Sequence, residues 1–161
     1  MAVQTAYARE HDVAYPGLVA DMNPIGNQSK LNADVISIDF GKGVVTSGED
    51  GAVLPSAGAD PSTFIGVAMR ELNRVTETDG TFAAPIERDM TVVTHGIIWV
   101  LATETVVKDE PVFLRVGATN LGDFSNAAGT GATESVEIDG AKFLTGGATG
   151  ELVKISLGLG G

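Results

Sequence analysis

The chain has 161 residues, with 10 Lys plus Arg against 21 Asp plus Glu, a net charge of −11 and no cysteine. That length suits one domain with a real hydrophobic core. The charge leaves no basic stripe to track phosphates, which argues against nucleic acid as a partner, and the missing cysteines exclude disulfides, thiol chemistry and cysteine-based zinc sites.

Glycine is abundant at 21 residues while aromatics make up only 6% of the chain, a balance that favours strands and turns over packed helices. Residues 1–17 lack the apolar stretch of ~7–15 residues that marks a signal peptide. The longest purely apolar run, residues 97–102, falls short of the about 20 residues a membrane helix needs, and no alternation persists in the ~10-residue units of an outer-membrane barrel. A soluble protein with no membrane partner is expected.

Residues 1–30 show no sustained period of two or 3.6 and carry breakers at Pro16-Gly17, Asn23-Pro24 and Gly26-Asn27. Tyr7, Tyr15, Leu18, Val19, Met22 and Ile25 are nevertheless spread through this stretch, and both tyrosines of the protein lie in it. A disordered tail is normally poor in such groups, so an extended arm over 1–30 that docks on another surface is expected, with an arm that merely wraps its own domain as the alternative, followed by a body domain over 31–161.

In the body the pattern becomes that of strands. Ile36, Ile38 and Phe40 alternate with Ser37 and Asp39, and Ile65, Val67 and Met69 alternate with Gly66, Ala68 and Arg70. Further strands are predicted over 90–93, 97–101, 111–116, 136–143 and 152–157, with Thr94-His95-Gly96 as a turn between two of them. Asp50-Gly51, Asp79-Gly80 and Asp139-Gly140 read as tight turns, since glycine readily takes a positive φ. The best helical candidate, residues 68–76, continues the preceding alternation better than it forms an apolar stripe. Residues 117–135, rich in Gly, Ala, Thr and Asn, read as a long surface loop. The predicted fold class is all-β: a small β-barrel or sandwich with an extended N-terminal arm and little helix.

Chemistry is sparse. His11 lies between Glu10 and Asp12 in the arm, a setting that suits solvent exposure, and His95 stands in the predicted turn. No Gly-x-Ser-x-Gly elbow, His-Glu-x-x-His helix, EF-hand spacing or P-loop is present. The acidic turns at 48–51 and 137–140 suit hairpins better than cations, and the pairs Asp109/Glu110 and Glu87/Asp89 lie in polar turns beside strands. Trp99 shares a strand face with Ile97 and Leu101 and reads as core. No catalytic residue, cofactor or metal site is expected, and the chain reads as a non-enzyme.

Several stretches together resemble the structural cement, or capsid decoration, proteins of tailed bacteriophages. They are Ala14-Tyr15-Pro16-Gly17-Leu18-Val19-Ala20-Asp21, Ser29-Lys30-Leu31-Asn32 leading into residues 35–41, and Phe64-Ile65-Gly66-Val67-Ala68. His95-Gly96-Ile97-Ile98-Trp99-Val100, Asp109-Glu110-Pro111-Val112-Phe113 and Gly140-Ala141-Lys142-Phe143-Leu144-Thr145 complete the series. Order and spacing weigh more than any single stretch. The sequence departs from the family pattern at Lys30, where arginine is common, and in the loop 124–135, which is longer than typical.

The resemblance implies a β-rich homotrimer made in the host cytoplasm and seated on the outer surface of the virion's capsid. Its partner would be the major capsid protein, reached by a segment that extends across neighbouring shell subunits. Thirty extended residues reach on the order of 100 Å at ~3.3 Å each. An exposed backbone of that kind can add as a strand to a neighbour's sheet. Tyr7, Tyr15, Pro16, Leu18, Met22 and Lys30 are the candidate capsid contacts. The alternative is a carbohydrate- or small-ligand-binding β-domain displayed on a virion, with Trp99 as the stacking side chain.

Overall fold

The computed structural model describes residues 14–71 and 82–158. They contain eleven strands, of which the first six are β1 (Gly26–Asn32), β2 (Ile38–Asp39), β3 (Gly43–Ser47), β4 (Gly51–Val53), β5 (Phe64–Ala68) and β6 (Ala83–Ala84). The others are β7 (Asp89–Leu101), β8 (Pro111–Arg115), β9 (Phe124–Ser125), β10 (Ser135–Phe143) and β11 (Leu152–Leu157). Helical structure among the described residues is confined to two three-residue 3-10 turns, Pro61–Thr63 and Gly131–Thr133. The all-β reading therefore holds. Tyr7, His11, Asp79-Gly80 and residues 72–76 of the helical candidate lie outside the described residues, and the described start of that candidate, Ala68, ends β5.

One long sheet runs β1-β4-β3-β5-β7-β11-β10-β8-β9, and an additional pairing of β1 with β7 closes its first five strands into a barrel. Beyond β7 the remaining strands curl back until Phe124 of β9 makes a parallel bridge with Ala102. The thirteen residues of β7 thus serve both halves, pairing with β1 and β5 over Asp89–His95 and with β11 over Gly96–Leu101.

Two cores result. Val44, Ala68, Met90 and Val92 pack with Ile38 and Phe40 in the smaller one. Val45, Val67, Val93, Ile98 and Val100 join Leu114, Phe124, Phe143 and Ile155 in the larger. Neighbouring residues on β3, β5 and β7 therefore face different cores, which is why these strands carry consecutive valines and alanines in place of a clean apolar-polar alternation.

A bulge lets β7 feed both. The expected turn at Thr94-His95-Gly96 is corrected: the strand runs through it, but the register with β1 jumps from His95 opposite Gly26 to Val93 opposite Asn27. An extra residue in one strand reverses which face each later side chain occupies. Even-numbered Met90 and Val92 point to the small core before the bulge, and even-numbered Ile98 and Val100 point to the large core after it. Odd-numbered Ile97, Trp99 and Leu101 are left on the outer face, half-buried. Trp99 is therefore not core, and the Lys154 ammonium lies over its ring, 4.9 Å from the centroid.

Three further expectations change. The strand predicted around Ile36 shrinks to Ile38–Asp39, leaving Val35 and Ile36 exposed. There the Asp34 carboxylate accepts from the Leu54 N–H at 2.9 Å, and the buried Asn32 side-chain amide donates to the carbonyls of Ile36, Ala84 and Pro85, which fixes the segment as a loop. Asp139-Gly140 lies inside β10, where Gly140 at φ 72° accompanies a register shift rather than a hairpin. The presumed surface loop 117–135 contains β9, whose Phe124 and Ser125 are fully buried. The same loop is tied down by the buried Arg115 guanidinium, which donates to the Thr133 carbonyl and pairs with the Glu104 carboxylate.

Candidate functional site

From Ala14, where the described residues begin, the leading segment folds onto the protein's own body. Tyr15-Pro16-Gly17-Leu18 forms a turn closed by the Leu18 N–H to the Tyr15 carbonyl at 3.2 Å, with Gly17 at φ 80°. Proline followed by a left-handed glycine is the signature of a type II turn. Gly17 is then wedged among backbones: a Cβ there would lie 2.8 Å from the Ala68 carbonyl oxygen, 2.8 Å from the Gly41 nitrogen and 2.9 Å from the Arg70 nitrogen.

From this wedge the chain runs antiparallel along β7 as a short strap. The Gly17 N–H donates to the Trp99 carbonyl, the Trp99 N–H to the Leu18 carbonyl and the Ala20 N–H to the Ile97 carbonyl, at 2.8–2.9 Å, and Val19 bridges Ile98. Residues 26–31 resume the same antiparallel course on β7 as β1. Residues 17–20 and 26–32 are thus occupied by pairing within the chain, and the long reach expected of thirty extended residues is not available to them.

Between these two footholds, residues 21–25 leave the β7 edge and project as a finger. The Asp21 carboxylate accepts from both the backbone and the side-chain amide of Asn23, bracing the turn. At its crest Met22 is 101% exposed, and Ile25 at the base is 36% exposed. A flexible, polarizable thioether held out on a braced loop is a contact group without a contact among the described residues.

The other sequence candidates separate. Tyr15 is 48% exposed and covers the Arg70 guanidinium, 4.7 Å from its ring centroid. Pro16 packs on Gly41, whose added Cβ would meet the proline ring at 2.6 Å. Leu18 is half-buried in the strap. Lys30 points its ammonium at the Glu49 carbonyl, 3.2 Å away, on the β3–β4 turn. The structure therefore joins Tyr15, Pro16, Leu18 and Met22 into one continuous feature and leaves Lys30 on β1.

Beside the strap an open cleft of about 580 Å³ is bordered by Tyr15, Asp39, Lys42, Arg70, Phe82 and Asp123. Sequence reasoning overlooked Asp123, because it reads as one more polar residue in a loop. Burial pushes its carboxyl above the usual carboxylate range and Asp39 adds to the rise, while Lys42, at 2.9 Å, and Arg115 oppose it. Since the folded value is raised, the native state keeps the proton longer, and this contribution to stability is full at low pH and lost as pH rises through the folded value. Removing the Lys42 charge in Lys42→Met is expected to raise Asp123 further. Carboxyl ¹³C NMR titration reads this directly, and an unchanged or lowered Asp123 value in the variant would contradict it.

The carboxylates of Glu110 and Asp60 behave oppositely. The Val107 N–H and the Asn126 amide hold Glu110 below the usual range, and Ser62 does the same for Asp60. Neither is part of a cluster: among the described residues no three His, Asp or Glu side chains gather as a metal would require.

Comparison with known proteins gives the context for this geometry. No protein of curated function matches the chain. A chain in the solved capsid of the Myoviridae phage XM1 is 18% identical, covers 99% of each chain and superposes with a TM-score of 0.78, which shows a shared fold. The N base of the head fibre gp8.5 of bacteriophage phi29 is 9% identical over 83% of this chain and 94% of that one, with a TM-score of 0.42. The family model described as structural cement protein (E217 gp24/Pam3 gp6) matches residues 3–158, and the chain belongs to that family.

Proposed function

We propose that this capsid structural protein coats the outer surface of the assembled phage head, binds the major capsid protein and stabilises its lattice contacts, without catalysing a reaction. The observation that carries this reading is the finger at residues 21–25, pinned at both ends to β7, with Met22 wholly exposed. A loop fixed in this way loses little conformational freedom on docking, so more of its contact energy remains as affinity. Assembly as a homotrimer would present three such fingers, and simultaneous engagement can raise avidity about 10²- to 10⁴-fold when the geometry permits. The net charge of −11 opposes clumping and stray DNA binding during assembly in the host cytoplasm.

The purified protein is expected to bind undecorated expanded heads saturably and to raise their thermal or osmotic resistance. Met22→Asp should weaken that binding at least tenfold while leaving the melting temperature of the free protein unchanged, since the side chain is wholly exposed and has no partner among the described residues to lose. Equal binding by the variant and the parent would remove the finger from the interface. The Lys154 ammonium over Trp99 covers one face of the ring a sugar would need, so the carbohydrate-binding reading gains no support from the structure.

A further inference from the structure

The cleft beside the strap is bordered by two carboxylates, Asp39 and Asp123, and two cations, Lys42 and Arg70. Arg70 follows β5, and its guanidinium contacts two rings, 4.7 Å from the Tyr15 centroid and 5.0 Å from that of Phe82. Both residues are exposed, at 48% and 44%. The Arg70 Nε is buried with no hydrogen-bond partner. Among the described residues the guanidinium makes no ion pair. Lys42, the other cation in the cleft, is committed to Asp123 at 2.9 Å.

A guanidinium packed against two aromatic rings is restrained and weakly hydrated where they cover it, and presents a planar fork of donors that matches a carboxylate. Charge-assisted hydrogen bonds of this two-pronged kind are the strong ones, and preorganisation of the fork reduces what binding must order. In a chain carrying 21 acidic residues against 10 basic ones, an arginine with no ion pair among the described residues stands out, although Asp39 borders the same cleft and Lys42 already neutralises Asp123. A polyanion such as a phosphate chain would be repelled by the whole protein, whereas a single carboxylate feels mainly the local site.

We propose that the Tyr15–Arg70–Phe82 clasp receives one aspartate or glutamate side chain of the shell protein on which this chain sits. The inference rests on the capsid-coating reading and adds the chemistry of one contact. Tyr15 belongs both to the clasp and to the type II turn that starts the strap, so this contact and the Met22 finger lie on one continuous stretch of chain.

Two measurements separate the clasp from the capsid reading. In the first, Arg70→Lys is compared with the parent for binding to undecorated heads. A point charge cannot reproduce the fork, so binding should weaken at least tenfold with the melting temperature little changed, and Arg70→Gln, which keeps part of the stem without the charge, should weaken it further. Wild-type binding with an unaffected Arg70→Lys variant overturns the clasp and leaves the capsid role standing. In the second, the free protein is titrated with N-acetylglutamate methylamide while the Arg70 Nε–H resonance is followed by ¹⁵N NMR, with inorganic phosphate as comparator. A saturable shift with the carboxylate supports the clasp even where wild-type protein ignores heads, a result that would overturn the capsid reading alone. Response to phosphate only, or to neither, overturns the clasp.

Discussion

Replacement of Phe124 by alanine is expected to destabilise the protein by about 3–5 kcal/mol, the usual cost of removing a fully buried phenylalanine. For a chain of this length that corresponds to a fall in melting temperature of roughly 6–20 °C. Phe124 is completely buried in the larger core. Its backbone ties three places together: it pairs with Leu114 of β8, bridges Ala102 in parallel, and accepts from the Thr103 N–H at 2.9 Å. Its ring reaches the barrel, where a Cβ on Gly43 of β3 would lie 3.1 Å from the ring tip and 2.4 Å from Leu114 Cδ1. The ring thus fills the seam between the barrel and the curled sheet beyond β7, with barrel backbone on one side and core side chains on the other. Neither wall can collapse into the vacancy without breaking strand pairing. Thermal denaturation of Phe124→Ala tests this, and a loss below about 1 kcal/mol would show that the seam closes freely.

Phe124 also marks a limit of the sequence. It is the lone aromatic in a stretch of Gly, Ala, Thr and Asn, and a two-residue strand offers no period to detect. Its burial comes from partners ten to eighty-one positions away, Leu114, Ala102 and the glycine opposite at 43, none of which leaves a local signal. The longer strands were readable because each spans enough residues to show its faces, as in Leu152–Leu157, where Val153, Ile155 and Leu157 are buried. The β7 bulge misled for a different reason. Thr94-His95-Gly96 interrupts the apolar pattern as a turn does, and only the partner strands distinguish a phase reversal from a chain reversal.

The site was legible in its chemistry and illegible in its placement. Tyr15, Pro16, Leu18 and Met22 stand out in sequence as apolar or conformationally fixed residues in a stretch without periodicity. That the same stretch pairs with β7 was hidden, because Asn27, Gln28 and Ser29 of β1 are exposed and polar, and a strand held by backbone hydrogen bonds need not alternate. The Arg70 clasp had no sequence signature at all. Tyr15, Arg70 and Phe82 are far apart along the chain and meet only because the Pro16-Gly17 turn brings the first of them across the end of β5.

That turn is where the fold and the proposed capsid contact are most tightly coupled, and Gly17→Ala is the substitution that exposes the coupling. A left-handed backbone costs an alanine about 1–2 kcal/mol on its own. The methyl group would in addition press on three backbone atoms, all under 3.0 Å and none able to swing aside as a side-chain tip does. A total loss of about 2–4 kcal/mol is expected, paid largely by release of the strap. Gly48→Ala is the matching control: its φ of 64° carries the same backbone strain, but a Cβ there meets nothing within 4 Å. Hydrogen exchange should show the Trp99, Ala20 and Arg70 amides losing protection in Gly17→Ala and keeping it in Gly48→Ala, because these three donate to, or from, the strap. With the strap released, the finger loses its foothold at residues 17–20, so head binding should fall in Gly17→Ala although Met22 and Arg70 are both intact. Equal protection and equal binding in the two variants would mean that the finger does not depend on the wedge at Gly17, and that affinity resides elsewhere on the surface.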